Sequence, residues 1–335
     1  MKQDSAAVLT CVGAVIGAGF ASGREIIVFF TQYGTHGIWL IVLSAMVMAG
    51  LCFLCMRAAG NAADLQWCNL MRKQPVLQWS MLALLVITAG AMISAAGHMI
   101  ALLWHHDRAY AVGAVGTLLA AWWMGFGSLK PLGLLGAVLT MALLCALMAA
   151  LLHEPKQIIP LSGNVENQVA FIDAVLRATG YAGMNMALAN GVVWRCAKET
   201  RHAGRVAGMF GWLIGVLLML GHCVYQRFPE VHTSEFPIIA LLSAYGRSSY
   251  LFSIALLYLS IITTLTSVLY ALRTAVEGYT EHWGVQVMLC LGLPLAISCI
   301  GFAGIIDRFY APAGWLCLLI VFLPMFIAQN KTARR

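Results

Sequence analysis

The chain has 335 residues, 61% of them hydrophobic and only 10% charged, with a mean hydropathy of +0.85. Soluble domains carry about 25% charged residues, so this composition excludes an ordinary soluble domain and points to an integral membrane protein with almost no soluble part. The net charge of +7 comes from Lys and Arg in loops beside apolar stretches and requires no nucleic-acid partner.

About 20 apolar residues cross a bilayer, and ten stretches qualify as spans, near 5–33, 36–57, 77–104, 109–126, 131–152, 166–195, 203–226, 247–278, 284–302 and 308–328. The first is too long for the apolar part of a signal peptide, and no clear cleavage signal follows it. Its centre reads Gly13-Ala14-Val15-Ile16-Gly17-Ala18-Gly19-Phe20-Ala21-Ser22-Gly23-Arg24-Glu25. Each glycine destabilises a helix by about 1 kcal/mol relative to alanine, and a charge at membrane depth costs at least ~2.5 kcal/mol on insertion scales. The run therefore predicts a helix that breaks near mid-membrane and turns freed backbone groups toward a ligand. A small-residue packing face accounts for Gly13 and Gly17 but leaves Arg24 and Glu25 without a role.

Turn formers and charges mark the loops, among them Asn61 to Pro75, Glu154 to Gly163, Lys198 to Arg205 and Phe228 to Pro237. The apolar Pro237 to Ala244 is a candidate for a short external helix. With the N-terminus inside, 13 Lys and Arg fall on the cytoplasmic side, 5 outside and 2 (Arg24 and Arg177) within spans. Both termini, with the basic tail Lys331 to Arg335, are thus expected in the cytoplasm. Most of the ten cysteines lie inside spans, while Cys68 and Cys196 fall in expected loops; free thiols are the simplest reading.

Five spans precede Gly163 and five follow, so the second half (166–328) is upside down relative to the first (5–152) within one domain covering 1–335. Gly180-Tyr181-Ala182-Gly183 in the sixth span echoes Gly19-Phe20-Ala21-Ser22 in the first. Paired glycine-interrupted spans at matching positions point to a transporter's binding site, and a second break is expected at Gly180 to Asn185.

The run Gly17 to Ile26, followed by Phe29-Phe30 and Tyr33-Gly34, resembles the start of the YkvI family of bacterial membrane proteins. That family looks like a distant branch of the amino acid–polyamine–organocation superfamily. The resemblance implies an all-α integral membrane protein with a LeuT-like 5+5 inverted repeat of ten transmembrane helices, helices 1 and 6 broken at mid-membrane. It also implies multi-pass residence in the bacterial cytoplasmic (inner) membrane. In sodium-coupled members of that fold a sodium ion sits between spans one and eight. The resemblance places it here on the carbonyls of Gly13 and Ile16 and on Thr263, Thr266 and Ser267. Hard cations take oxygen ligands, yet Ser and Thr in membrane helices commonly bond back to a carbonyl instead. Proton-coupled relatives place a lysine of the fifth span at this point, and span five here has no charge beyond Lys130; that departure favours sodium.

The substrate pocket is expected between the two breaks. Freed amides around Gly17, Gly19, Phe20, Ala21, Ser22 and Gly23 suit a carboxylate, and carbonyls near Gly180, Tyr181, Gly183 and Asn185 suit an amine. Ser94 and His98 on span three complete its wall. Arg24 and Glu25, with Asp173 and Arg177 one helical turn apart, form an outer gate or a static network through cross-pairs Arg24–Asp173 and Glu25–Arg177; Asp307 is an alternative partner for Arg24. The expected function is secondary active transport of an amino acid or related small amine-containing solute, with sodium as coupling ion and no other cofactor. Proton coupling, or a non-transporting receptor-like or structural protein on the same fold, are the alternatives. No catalytic constellation in the sequence suggests an enzyme.

Overall fold

The computed structural model describes residues 2–61, 75–104, 106, 108–126, 130–152, 171–277 and 280–325. The residues between Asn61 and Pro75 (Cys68 among them), the stretch Glu154 to Gly163 and the tail Lys331 to Arg335 lie outside that set.

The described residues are helical, joined by short turns. The first span is three pieces, α1 (Lys2–Val15), α2 (Ala18–Ser22) and α3 (Arg24–Phe29). Then come α4 (His36–Asn61), α5 (Pro75–Trp104), α6 (Ala109–Met124) and α7 (Lys130–Leu152). The second half holds α8 (Phe171–Glu199), α9 (Ala203–Arg227), the short α10 (Pro237–Ser243) and α11 (Arg247–Glu277). Last are α12 (Trp283–Ser298) and α13 (Phe302–Met325). Five of these, on α4, α5, α9, α11 and α13, are long and apolar enough to cross a bilayer.

The exterior agrees with a lipid solvent. Trp39, Met46, Trp123, Ile172 and Trp212 are each more than 60% exposed, and many further large apolar side chains along the helices are exposed as well. A water-soluble protein rarely exposes contiguous apolar area on that scale. The chain is thus a multi-pass membrane protein, and the described cysteines are free thiols.

Small residues let the helices approach closely, as expected where lipid gives no hydrophobic drive to pack. A methyl group on Gly211 of α9 would stand 2.6 Å from Ala49 Cβ of α4, and one on Gly113 of α6 would stand 2.6 Å from Ile100 Cβ of α5. The tightest approach joins α8 to α13. Gly180 lies against the backbone of Ala311, Gly183 against the carbonyl of Gly314, and a methyl on Gly314 would overlap the Gly180 carbonyl itself.

This contact corrects the expected second break. Helix α8 is continuous from Phe171 to Glu199, so Gly180 to Asn185 keep their helical hydrogen bonds. Gly180 and Gly183 instead remove side-chain bulk where the last helix crosses.

Helices α12 and α13 contain three wide π turns, Met288–Gly292, Ile306–Tyr310 and Leu318–Phe322. Each ends two residues before a proline: Pro294, Pro312 and Pro324. Proline has no amide hydrogen, and its ring collides with the carbonyl four residues back. Widening the preceding turn moves that carbonyl aside, so these helices run on through their prolines.

Candidate functional site

The first span breaks twice. At Gly17 the backbone is extended, φ −109° and ψ −166°, and its amide turns to the Val15 carbonyl at 3.0 Å. No backbone bond among the described residues joins the amides of Gly19 and Phe20 to Val15 and Ile16, as a continuous helix would. The carbonyls of Gly13 and Ile16 are freed in the same way. The second break is at Gly23, with φ +82°. There the Ser22 hydroxyl donates to the Gly19 carbonyl at 2.7 Å and accepts the Arg24 amide at 3.1 Å, starting α3. Ala18, Gly19, Phe20, Ala21, Ser22 and Gly23 are all buried.

The partner of the first break is Thr264, midway along α11. Its hydroxyl accepts the Ala18 amide at 3.2 Å and lies close enough to Gly17 that a methyl there would stand 3.3 Å away. The expected hydroxyls are otherwise engaged. Thr263 donates to Leu259 and Ser260, Thr266 to Ile262 and Ser267 to Thr263, all carbonyls of their own helix. No hydrogen bond ties those three to the first span among the described residues; the direct contact with the break is made by Thr264, which the sequence reading did not single out. The spacing held a clue, since Ser260, Thr264 and Ser267 fall on one helical face. Thr264→Val keeps the shape and removes the acceptor, leaving the Ala18 amide without its partner. The expected loss is about 1–3 kcal/mol, read as a lower thermal midpoint in detergent.

Glu25 is 5% exposed. Its carboxyl folds back against Gly19, where any β-carbon would overlap it, and it shares a hydrogen bond with the Tyr181 hydroxyl of α8. Tyr310 of α13 is a second buried tyrosine, within range of the Glu25 charge. Tyr181 is wedged between Phe29 and Phe30, ring centroids 5.1 and 5.2 Å apart, and its carbonyl accepts the Asn185 side-chain amide at 3.1 Å. The structure therefore gathers Gly19, Glu25, Tyr181 and Asn185 around the broken segment, with Tyr310 as a member that the sequence did not single out.

The expected cross-pairs do not form. Arg24 makes a forked pair with Asp307 of α13, Nη2 to Oδ2 at 2.6 Å and Nε to Oδ1 at 3.2 Å. Its Nη1 also donates to the carbonyls of His232 and Ser234 in the connection between α9 and α10. Arg177 pairs with Asp173 on its own helix at 2.7 Å and donates to the Asp307 carbonyl at 3.3 Å. Asp307, the alternative partner named from the sequence, takes Arg24 instead, since the turn Ile306–Tyr310 of α13 packs against α3. Glu25 has no Lys, Arg or His partner among the described residues.

Ser94 and His98 serve another cluster. The Tyr110 hydroxyl donates to Ser94 at 3.2 Å and to the Ser298 carbonyl at 3.3 Å. His98 lies 3.5 Å from Glu235 and stacks edge-on to Tyr110. No hydrogen bond or ring contact among the described residues links either to the break. Nor do the described residues hold a His/Cys/Asp/Glu group that could bind a metal. An apolar groove lined by Trp79, Leu82, Val86, Leu272, Leu289 and Phe309 contains none of the candidate residues.

No protein-family model matches the chain. Over 342 residues, 97% of this chain and 95% of the relative, it is 23% identical to the uncharacterized membrane protein YkvI of Bacillus subtilis (strain 168). That likeness bears out the YkvI-like resemblance read from the first span and extends it over both halves.

Proposed function

Starting from a whole-chain likeness to a YkvI-type membrane protein, we propose that this chain is a secondary active transporter of an amino acid or related small amine-containing solute. It works by alternating access on a five-plus-five inverted repeat, in the bacterial cytoplasmic membrane with both termini inside. The observation that carries the reading is the unwinding of the first span at Gly17 against the middle of α11. Irregular backbone at membrane depth is tolerated only where it is covered by protein or lines a cavity, and transporters use such segments to hold solutes and ions. A solute carboxylate would take the amides of Gly19 and Phe20, and its amine would face the tyrosine and carbonyl groups of α8 near Tyr181. The Arg24–Asp307 fork ties the broken span to α13 and to the connection between α9 and α10. It is placed to act as an outer gate.

Coupling to a cation gradient belongs to this proposal. Sodium would use the freed carbonyls of Gly13 and Ile16 with the lone pairs left on Thr263, Thr266 and Ser267. A proton would need a titratable carboxyl, which the first span supplies at Glu25. The test is uptake of a radiolabelled mixture of amino acids and simple amines into proteoliposomes holding the full chain. Flux above empty vesicles is expected, rising with an imposed cation gradient. Absence of both uptake and solute exchange would leave a receptor-like or structural protein.

A further inference from the structure

Building on the transporter reading, we infer that Glu25 is the proton-coupling site: its carboxyl holds a transported proton while the pathway is closed over solute, and closure over solute requires that proton. The inference stands on placement. A carboxylate removed from water without a cation is so costly that such groups are paired or neutral, and Glu25 is buried with no cation beside it among the described residues.

Among the described residues, the surroundings are polar but uncharged. From α8 the carboxyl meets the Tyr181 hydroxyl, and Tyr310 of α13 is close enough for its hydroxyl to feel the Glu25 charge. Tyr225 of α9 packs on Gly23, while His222 of α9 lies 3.2 Å from Thr31. Thr264 of α11 is occupied by the Ala18 amide. The two neighbouring arginines are committed elsewhere, Arg24 to Asp307 and Arg177 to Asp173. Arg24 is next in sequence, yet its fork points to α13. Neutral tyrosines can hydrogen-bond either form of a carboxyl, whereas a fixed arginine would hold it ionised. This shell therefore lets the group exchange a proton.

The position supplies the coupling. Glu25 touches Gly19, inside the segment whose freed amides are proposed to hold the solute. An ionised Glu25 would put a negative charge beside those amides and compete with a solute carboxylate for them. A neutral one leaves them free. The cycle then balances: the carboxylate takes a proton from the outer side, solute binds, and the pathway closes over a neutral carboxyl. The inner side opens, solute and proton leave together, and the empty protein returns with Glu25 ionised and water in place of the solute, so one proton crosses with each solute.

Two measurements on the full-length protein in liposomes test this. Dicyclohexylcarbodiimide reacts with protonated carboxyls in apolar surroundings, and mass spectrometry maps the adduct. Label on Glu25 that declines as pH rises is expected; no label on Glu25 at any pH overturns the inference. In uptake, the amino acid and amine mixture should accumulate when the interior is made alkaline, with proton entry reported by a trapped pH dye. Glu25→Gln should abolish that gradient-driven accumulation. If that variant does not fold, Tyr181→Phe takes its place, and the pH dependence of accumulation should shift. Accumulation driven by sodium and indifferent to pH, or persisting in Glu25→Gln, overturns Glu25 as the coupling site while keeping the transporter reading. No flux of any solute in the unmodified protein overturns the transporter reading itself.

Discussion

Gly314→Val should cost about 3 kcal/mol or more, the top of the range for overpacked cores. The new side chain would point at the Gly180 carbonyl and the Met184 amide of α8. Those neighbours are backbone, held in a continuous helix, and cannot turn aside as a flexible side chain would. To admit the valine, α13 must retreat, which would also loosen the Arg24–Asp307 fork. Intrinsic fluorescence during heating in detergent gives the measurement. Gly50→Ala is the control, since no atom lies within 4 Å of its added methyl; it should leave stability unchanged or raise it by ~0.5–1 kcal/mol. Equal melting of Gly314→Val and the parent would mean that the two helices do not meet as described.

Gly23→Ala should be nearly as damaging, for two separable reasons. The residue sits at φ +82°, where a side chain costs roughly 1–2 kcal/mol. The methyl would also overlap the hydroxyl of buried Tyr225, adding about 1–3 kcal/mol of overpacking. Tyr225→Phe in the same chain should return part of the second contribution and none of the first. A double-mutant cycle on thermal unfolding separates them. Because Gly23 sets where α3 begins, and Glu25 is two residues on, uptake should fall further than the loss of folded protein explains. If Gly23→Ala matched the parent in both assays, the second break would have no role.

The first span was legible because its residues conflict with the element they occupy. Glycines and charges in an apolar stretch violate helix propensity and membrane solvation together, and such conflicts point to irregular backbone. Gly180 and Gly183 raised the same signal for a different cause. A glycine that frees the backbone and a glycine that admits a neighbouring helix look alike in one sequence, and only the partner, here Gly314, distinguishes them. The hydroxyls of α11 pose a similar limit, since several share a short stretch and helix rotation decides which one reaches the break. Thr264 won because α2 crosses α11 at that azimuth. The charges were legible only in part: Asp307 was named as the alternative partner of Arg24, 283 residues away, but choosing it over Asp173 depends on which helices are adjacent. Tyr310 carried no distinguishing mark, as an aromatic side chain in an apolar span is ordinary core material.

The proline-linked wide turns on the last helix bracket the segment that grips Gly180. Each adds one residue to the winding, which changes the azimuth of everything beyond it by about 100°. Pro312 therefore sets the direction in which Gly314 faces, and a helix that closed the turn before it would present another side chain to α8. Torsional slack is thus concentrated at both ends of the grip while the grip itself stays rigid, the arrangement of a pivot pin between two compliant couplings.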